Sequence, residues 1–408
     1  MDTRLTFLRQ NAPWLSAGAL LAFSSSYGQT YFISVFAGAI MAEFALSDGD
    51  WGAIYGAGTL ASALLVALTG GLLDRYRVRA LGTAILALVA GACLFMAWTP
   101  AAWALIPAVL FLRYAGQGMT SLLASTAMAR WFVASRGRAL AIATMGFALG
   151  ESLLPIAFVA ALSVASWRSL WVLAAAMALA AIPLLRLLLH RERVPRGDAA
   201  GDDSAGLQGR HWTRGQAARH PLFWAAVPLI LGPSACVTAL FFQQVHLAAQ
   251  KGWAHVEFVA LFPVYTATSI TAMLATGWLI DRFGTGRLLP VFQLPIAAGF
   301  VLMGMAESLT AGALAMALTA LSMGAYGPLS TAFWAEYFGT RHLGAIRALA
   351  AAIMVLGSAI GPVVSGGLID AGLPFDRQML AMAGWFLATS ALIGFGLARW
   401  GGRRRESA

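Results

Sequence analysis

The segment "TGGLLDRYRVR", residues 69–79, returns in altered form as "TGWLIDRFGTGR" at residues 276–287. In each copy a glycine stands one turn before an Asp–Arg pair, and further arginine follows within a few positions. A glycine at that spacing lets a neighbouring helix approach closely. An aspartate at a helix end can accept from nearby N–H groups and pair with arginine. Two copies so far apart in one chain point to a duplicated unit, and other stretches agree. "STAMARWF" at 125–132 is answered by "STAFWAEYF" at 330–338, and Pro155 by Pro362.

Both copies are set in lipid-soluble surroundings. Of 408 residues, 60% are hydrophobic and 11% are charged, with mean hydropathy +0.75; a soluble chain carries about a quarter charged residues. Apolar runs of roughly 20 residues recur throughout, each long enough to cross a ~30 Å hydrocarbon core. Backbone polar groups cannot face lipid bare, and no stretch alternates as barrel strands do, so the runs are expected to be helices. They fall at about 13–40, 51–73, 80–98, 103–129, 138–163, 167–189, 222–247, 256–280, 288–305, 310–335, 344–369 and 378–400. The expected fold is therefore an all-α integral membrane protein with twelve transmembrane helices in two pseudo-symmetric bundles of six. An N-terminal bundle (1–189) and a C-terminal bundle (221–408) flank the longest polar interval, 190–220, whose Gly, Asp and Arg content marks a mobile linker.

The net charge is +10, but its distribution does not suit nucleic acid, because no basic stripe interleaved with aromatics occurs. The arginines gather in short loops. With the N-terminus inside, only Arg168, Arg377 and Lys251 fall on the outer side, and only Arg113 lies mid-span. The positive-inside rule then sets both termini and the linker in the cytoplasm, with a bacterial inner membrane as the expected location. The first span follows the N-terminus with no evident small-residue cleavage site and is expected to be retained. Tryptophans near span ends, such as Trp14, Trp51, Trp103 and Trp400, fit interfacial anchors. Cys93 and Cys236 both fall in spans, without metal-ligand company. No metal, cofactor or nucleotide-binding motif is expected, and no nucleophile–base set suggests an enzyme.

A 6+6 arrangement with G-x-x-x-D-R after the second and eighth spans resembles the major facilitator superfamily, over essentially the whole chain. That family's loop motif runs roughly G-x-x-x-D-R-x-G-R-[RK]. Gly70, Asp74, Arg75 and Arg79 match it, while Arg77 stands where the second glycine belongs; the second copy keeps Gly277, Asp281, Arg282 and Gly284, with Arg287 displaced by one position. The resemblance implies that Gly70, Asp74, Arg75, Arg79, Gly277, Asp281 and Arg282 form a cytoplasmic gate. The alternative for Arg75, Arg77 and Arg79 is that they only set topology. The fourth span resembles the family's R-x-x-x-G-x-G pattern through Arg113, Gly116, Gln117 and Gly118, frequent in drug/proton antiporters. The fifth-span antiporter pattern G-x-x-x-G-P-x-x-G-G is kept at Gly146 and Gly150, but Glu151 replaces its proline. The first third, "SSSYGQTYFISVF…EFALS", is loosely similar to bacterial carriers of monocarboxylates and related organic anions, although the eighth span lacks a basic residue some of them use.

The residues themselves converge on the middle of the membrane. Arg113 and Glu151 lie roughly 24 and 21 Å from the cytoplasmic ends of adjacent antiparallel helices. They could form an ion pair or share a polar cavity, and a purely structural tie between helices four and five is the alternative. Arg113, Gln117, Thr120 and Ser121 fall on one α-helical stripe. Tyr27, Gln29 and Tyr31 populate "SSSYGQTYF" (24–32), where Gly28 could loosen the helix. In the second half Ser322, Tyr326 and Ser330 form a stripe, Tyr265 sits in the eighth span and Gln243 in the seventh. Polar stripes in spans are expected to face water-accessible cavities, although backbone bonding within the helix is the commoner role of Ser and Thr. Neither Arg113 nor Glu151 has a counterpart in the second half.

The expected function is secondary active transport by alternating access, acting as a monomer on a small organic anion. Arg113, Gln117, Tyr27, Gln29, Tyr31, Gln243, Tyr265, Ser322 and Tyr326 are the expected substrate contacts, with Glu151 the proton carrier. The alternative is a proton-coupled drug efflux antiporter in which Glu151 partners a cation. A sensor or a membrane enzyme is disfavoured for want of a signalling domain or a catalytic set.

Overall fold

The computed structural model describes residues 3–132, 135–191 and 205–401, excepting the side chains of residues 3–6, Asp74 and Arg136. Much of the expected linker, 192–204, lies outside the described residues. Among the described residues all regular structure is helical. Among the described residues nine helices are long and apolar enough to cross a membrane: Asp48–Thr69, Val78–Ala97, Gly137–Ala161, Trp167–Leu188, Pro221–Phe242, His255–Phe283, Leu309–Phe338, Leu343–Asp370 and Phe375–Trp400. The chain is a multi-pass membrane protein.

The first, fourth and ninth expected spans are shorter or interrupted. The first runs as Thr3–Ser24, tightens to a 3₁₀ turn at Ser25–Gly28, opens at Gln29, and resumes in the short helices Thr30–Ile33, Ser34–Phe36 and Ala37–Phe44. The fourth is α-helical at Leu105–Leu112 and Ser121–Trp131, with a π-helical stretch, Arg113–Thr120, between them. The ninth is reduced to Leu294–Met305.

Two compact units divide the chain, Met1–Ala199 and Ala200–Ala408. Inside the first, the first span packs on the fifth, the second on the fourth and the third on the sixth. Inside the second, the seventh packs on the eleventh, the eighth on the tenth and the ninth on the twelfth. The same pairing scheme thus occurs twice. It is pinned at one matching crossing in each unit: a Cβ added to Gly146 would run into the Ala19 carbonyl, and one added to Gly361 into the Ala235 carbonyl. Only glycine permits such backbone approach.

Each unit has its own apolar core. Leu21, Leu86, Met128, Trp131 and Leu185 join in the first, and Leu222, Phe223, Phe333, Trp334 and Ile393 in the second. Trp51 departs from its expected interfacial place. It is 1% exposed, inside the first unit, whereas Trp103 is 71% exposed.

Candidate functional site

The break in the first span follows from its sequence. Ser24 and Ser25 donate back to the carbonyls of Leu20 (2.8 Å) and Ala22 (2.6 Å), competing with the helical ladder. Gly28 follows, and Gln29 then takes an extended backbone at φ −83°, ψ 151°. Broken backbone at membrane depth must be covered by protein or open to a water-filled cavity. Here the cover is the fourth span's π-helical stretch. The Thr120 hydroxyl donates to the Ala115 carbonyl, five residues back, at 2.6 Å, in keeping with a π ladder. The two irregular segments touch glycine to glycine: a Cβ on Gly116 would stand 2.6 Å from the Gly28 nitrogen, and one on Gly28 would strike the Leu112 carbonyl.

Arg113 opens the π stretch and reaches into this junction. Its Nη1 donates to the Gly28 carbonyl (3.3 Å) and to Thr30 Oγ1 (3.4 Å), both near the long limit for hydrogen bonds. The guanidinium lies 5.3 Å from the centre of the Tyr55 ring, and the Tyr55 and Thr30 hydroxyls are 2.6 Å apart. The side chain is 2% exposed, and Nε is buried with no hydrogen-bond partner. None of these contacts is a carboxylate. The guanidinium's contacts are with a carbonyl, a hydroxyl and an aromatic face.

Glu151 lies on the other side of the same broken segment. It is 8% exposed, and it stands within electrostatic reach of Tyr31, whose hydroxyl donates to Ser26 Oγ at 2.9 Å. Gly150 presses against that same Ser26 side chain. The first span's break is thus flanked by a cation contacting Gly28 and Thr30 and by a carboxylate near Tyr31.

The π stretch also redraws the expected polar stripe. With a wider turn than an α-helix, residues spaced by four no longer stack. Thr120 is fully buried and bonded to its own helix, and Gln117 is half-buried. Gln29 is half-buried at the break. Tyr27 is buried edge-on to Phe32, within electrostatic reach of Cys93 on the third span.

In the second unit, Gln243 sits where the seventh span kinks and donates to Ser365 Oγ at 3.3 Å. Tyr265 packs edge-on against Phe241, with ring centres 5.1 Å apart. Ser322 is fully engaged: it donates to the Phe292 carbonyl (2.6 Å) and accepts from the Ile296 nitrogen (3.0 Å), bridging the shortened ninth span. Ser322, expected among the substrate contacts, commits its donor and one of its two acceptor positions to that bridge. Tyr326 and Ser330 hydrogen-bond to each other. Sequence reasoning missed Thr30 and Tyr55 as Arg113's neighbours. The only signal was one hydroxyl-bearing aromatic in the apolar run "WGAIYGAGT".

Of the expected gate residues, Gly70 caps the second span and Arg75 ends the short helix Leu72–Arg75. The Asp74 side chain lies outside the described residues. Arg130 Nη1 donates to the Leu73 carbonyl at 2.7 Å, holding that helix to the fourth span. In the second copy Gly277 and Asp281 are exposed, and the Arg282 guanidinium stacks on Trp278 and Phe283 at 5.4 and 5.7 Å.

The sequence model of the Major Facilitator Superfamily matches residues 18–362 and, in a second match, 237–407. The chain belongs to the Major Facilitator Superfamily. Membership makes it a membrane transporter rather than an enzyme. Its fold is that of solved superfamily members. It resembles a bacterial homologue of the human lysosomal transporter Spinster, solved inward-facing and unoccupied, at TM-score 0.73 and 18% identity, covering 95% of this chain and 96% of that one. It resembles the nucleoside transporter NupG at TM-score 0.70 and 12% identity, covering 94% of this chain and 99% of that one. A multidrug resistance protein B homolog of Mycobacterium tuberculosis is 31% identical over 107 residues. That match takes in 26% of this chain and only 20% of the relative's length.

Proposed function

We propose that this superfamily member carries a small organic anion of the monocarboxylate kind by alternating access, coupled to protons. The observation that carries this reading is the state of the Arg113 guanidinium. It is buried in a span, its hydrogen bonds go only to neutral acceptors through Nη1, and Nε is unused. The Nε–Nη2 edge offers two parallel donors, the fork a carboxylate takes bidentately. An anion reaches it when the surrounding helices part, as alternating access requires. Gln117, Tyr27, Gln29, Tyr31, Gln243, Tyr265 and Tyr326 are proposed as further lining.

Glu151 is the proposed proton carrier. A carboxylate at membrane depth is a functional group by default, and this one adjoins Tyr31 on the far side of the break that Arg113 braces. Anion binding draws the guanidinium away from Gly28 and loosens the segment they share, which links anion occupancy to the surroundings of Glu151. The Asp74 and Asp281 loops serve as the gate. The distribution of arginine supports cytoplasmic termini in a bacterial inner membrane, and the duplicated unit supports a monomer as the working form. A second reading, proton-coupled drug efflux, is favoured by the local match to the multidrug resistance homolog.

A thermal-shift screen of the purified chain against monocarboxylates and lipophilic cations, repeated on Arg113→Ala, tests the reading. Stabilisation by a monocarboxylate in the native chain and none in the variant is the expected result. Equal stabilisation of both removes Arg113 as the anion's partner. Stabilisation by cations that disappears in Glu151→Gln assigns efflux instead.

A further inference from the structure

Away from the membrane-centre residues, the first unit holds a second polar concavity. It lies between the start of the third span and the end of the sixth, has a volume of about 330 Å³, and is lined by Arg77, Arg79, Thr83, Arg186 and His190. Among the described residues no carboxylate lines it. Among the described residues, none of the three guanidinium groups has an ion-pair partner. Thr83 directs its hydroxyl to the Arg79 carbonyl at 2.8 Å, and His190 Nδ1 lies 3.2 Å from the Leu187 carbonyl. The open donors of the pocket are thus its guanidiniums. Three like charges around one hollow repel one another unless an anion joins them. Topology-setting charges need no shared hollow, and Arg77 occupies the position that the family's loop pattern gives to glycine.

Beside the pocket the sixth span exposes an apolar side chain: Leu187, next to Arg186 in the chain, is 69% exposed. Arginine binds phosphate through paired, charge-assisted hydrogen bonds. A basic hollow where helices leave the bilayer, bordered by exposed leucine, matches a charged headgroup attached to acyl chains.

We propose that this pocket binds the phosphodiester headgroup of an anionic membrane phospholipid, with Arg77, Arg79 and Arg186 around the phosphate and an acyl chain along Leu187. Net negative charge distinguishes this ligand from a zwitterionic lipid, whose ammonium would meet three arginines. Free inorganic phosphate shares the chemistry but has no use for the apolar border.

The test uses the full chain purified in detergent. Native mass spectrometry follows retention of phosphatidylglycerol and of phosphatidylcholine with the same acyl chains, and a thermal shift is measured with inorganic phosphate alone. Phosphatidylglycerol should be retained in preference to phosphatidylcholine. Arg77→Gln combined with Arg186→Gln should lower its retention roughly thirtyfold, given about 1 kcal/mol per basic residue at a membrane surface. Arg77→Lys with Arg186→Lys, which keeps the charges and guards against a folding defect, should retain most of it. Equal retention of both lipids, or unchanged retention in the glutamine variant, overturns the proposal. Stabilisation by inorganic phosphate alone as large as that by phosphatidylglycerol overturns the lipid assignment.

Discussion

Arg113 Nη1 donates to the backbone carbonyl of Gly28 across 3.3 Å, joining the π-helical part of the fourth span to the break in the first. Two departures from the α-helix are thereby made to depend on one side chain. Gly28 and Gly116 bring the backbones together, and the guanidinium covers a carbonyl at the break.

The glycine contact should tolerate no methyl group. Gly28→Ala would drive Cβ into the Leu112 carbonyl, and backbone cannot move aside as a side-chain tip can. A loss of about 1–3 kcal/mol or more is expected, seen as a lower thermal midpoint and lost transport. Gly91→Ala in the third span, where a Cβ meets nothing within 4 Å, should be neutral or slightly stabilising.

Arg113→Lys keeps the charge but not the fork. A lysine ammonium can still contact the Gly28 carbonyl, so the chain should fold. Carboxylate affinity should fall roughly 10- to 100-fold, the worth of one charge-assisted hydrogen bond. Titration of the purified variant with the best monocarboxylate measures it, and unchanged affinity would show that the anion does not use the side-on edge.

Ser322→Ala should act on stability and spare affinity. The hydroxyl serves the Phe292 carbonyl and the Ile296 nitrogen inside the second unit, and its removal strands two buried backbone groups at about 1–3 kcal/mol. A lower thermal midpoint with an unchanged dissociation constant is expected. The converse pattern would return Ser322 to the substrate site.

At the far end of the first unit, Glu43 accepts from Arg168 Nε (3.2 Å) and Trp167 Nε1 (2.7 Å), beyond the expected end of the first span. The Arg168 hydrogen bond holds the Glu43 carboxyl below the usual carboxylate range against the opposing effect of burial, with the Trp167 hydrogen bond and the arginine's charge adding smaller contributions. Folded Glu43 therefore binds its proton less tightly than unfolded Glu43 does. Its contribution is complete above the ordinary carboxylate range and is lost as pH falls through the lower folded value. Glu43→Gln should melt below the native chain at neutral pH, and the gap should close in acid. Because Glu43 is exposed, the gap should be small.

Glu151→Gln should separate coupling from binding. Uptake driven by a proton gradient should be lost, while anion binding measured by thermal shift persists. Intact gradient-driven uptake in this variant would remove Glu151 from the coupling path.

Much of the fold was legible in the sequence, because apolar runs of membrane length leave the backbone few choices but helix. The repeated Asp–Arg loops fixed the duplicated plan, and the same packing scheme appears in both units. What escaped was local. Apolar periodicity cannot distinguish an α turn from a π turn, so Arg113, Gln117, Thr120 and Ser121 were assigned a stripe that the π stretch does not keep. Trp51 looked interfacial from its place near a span end, yet packing buries it. Arg113's neighbours depend on a break that "SSSYGQTYF" only hints at, since a serine run and one glycine do not say which carbonyl will be left over. Ser322 was legible as a polar group on a helix but not as the bridge across its neighbour.

The crossings of Ala19 with Gly146 and of Ala235 with Gly361 are contacts of main chain on main chain. The atoms nearest each glycine are main chain, so the close approach is set by the absence of a Cβ at Gly146 and Gly361. A lineage descended from a doubled six-helix ancestor must therefore keep that glycine in each copy, whatever the rest of the two helices becomes.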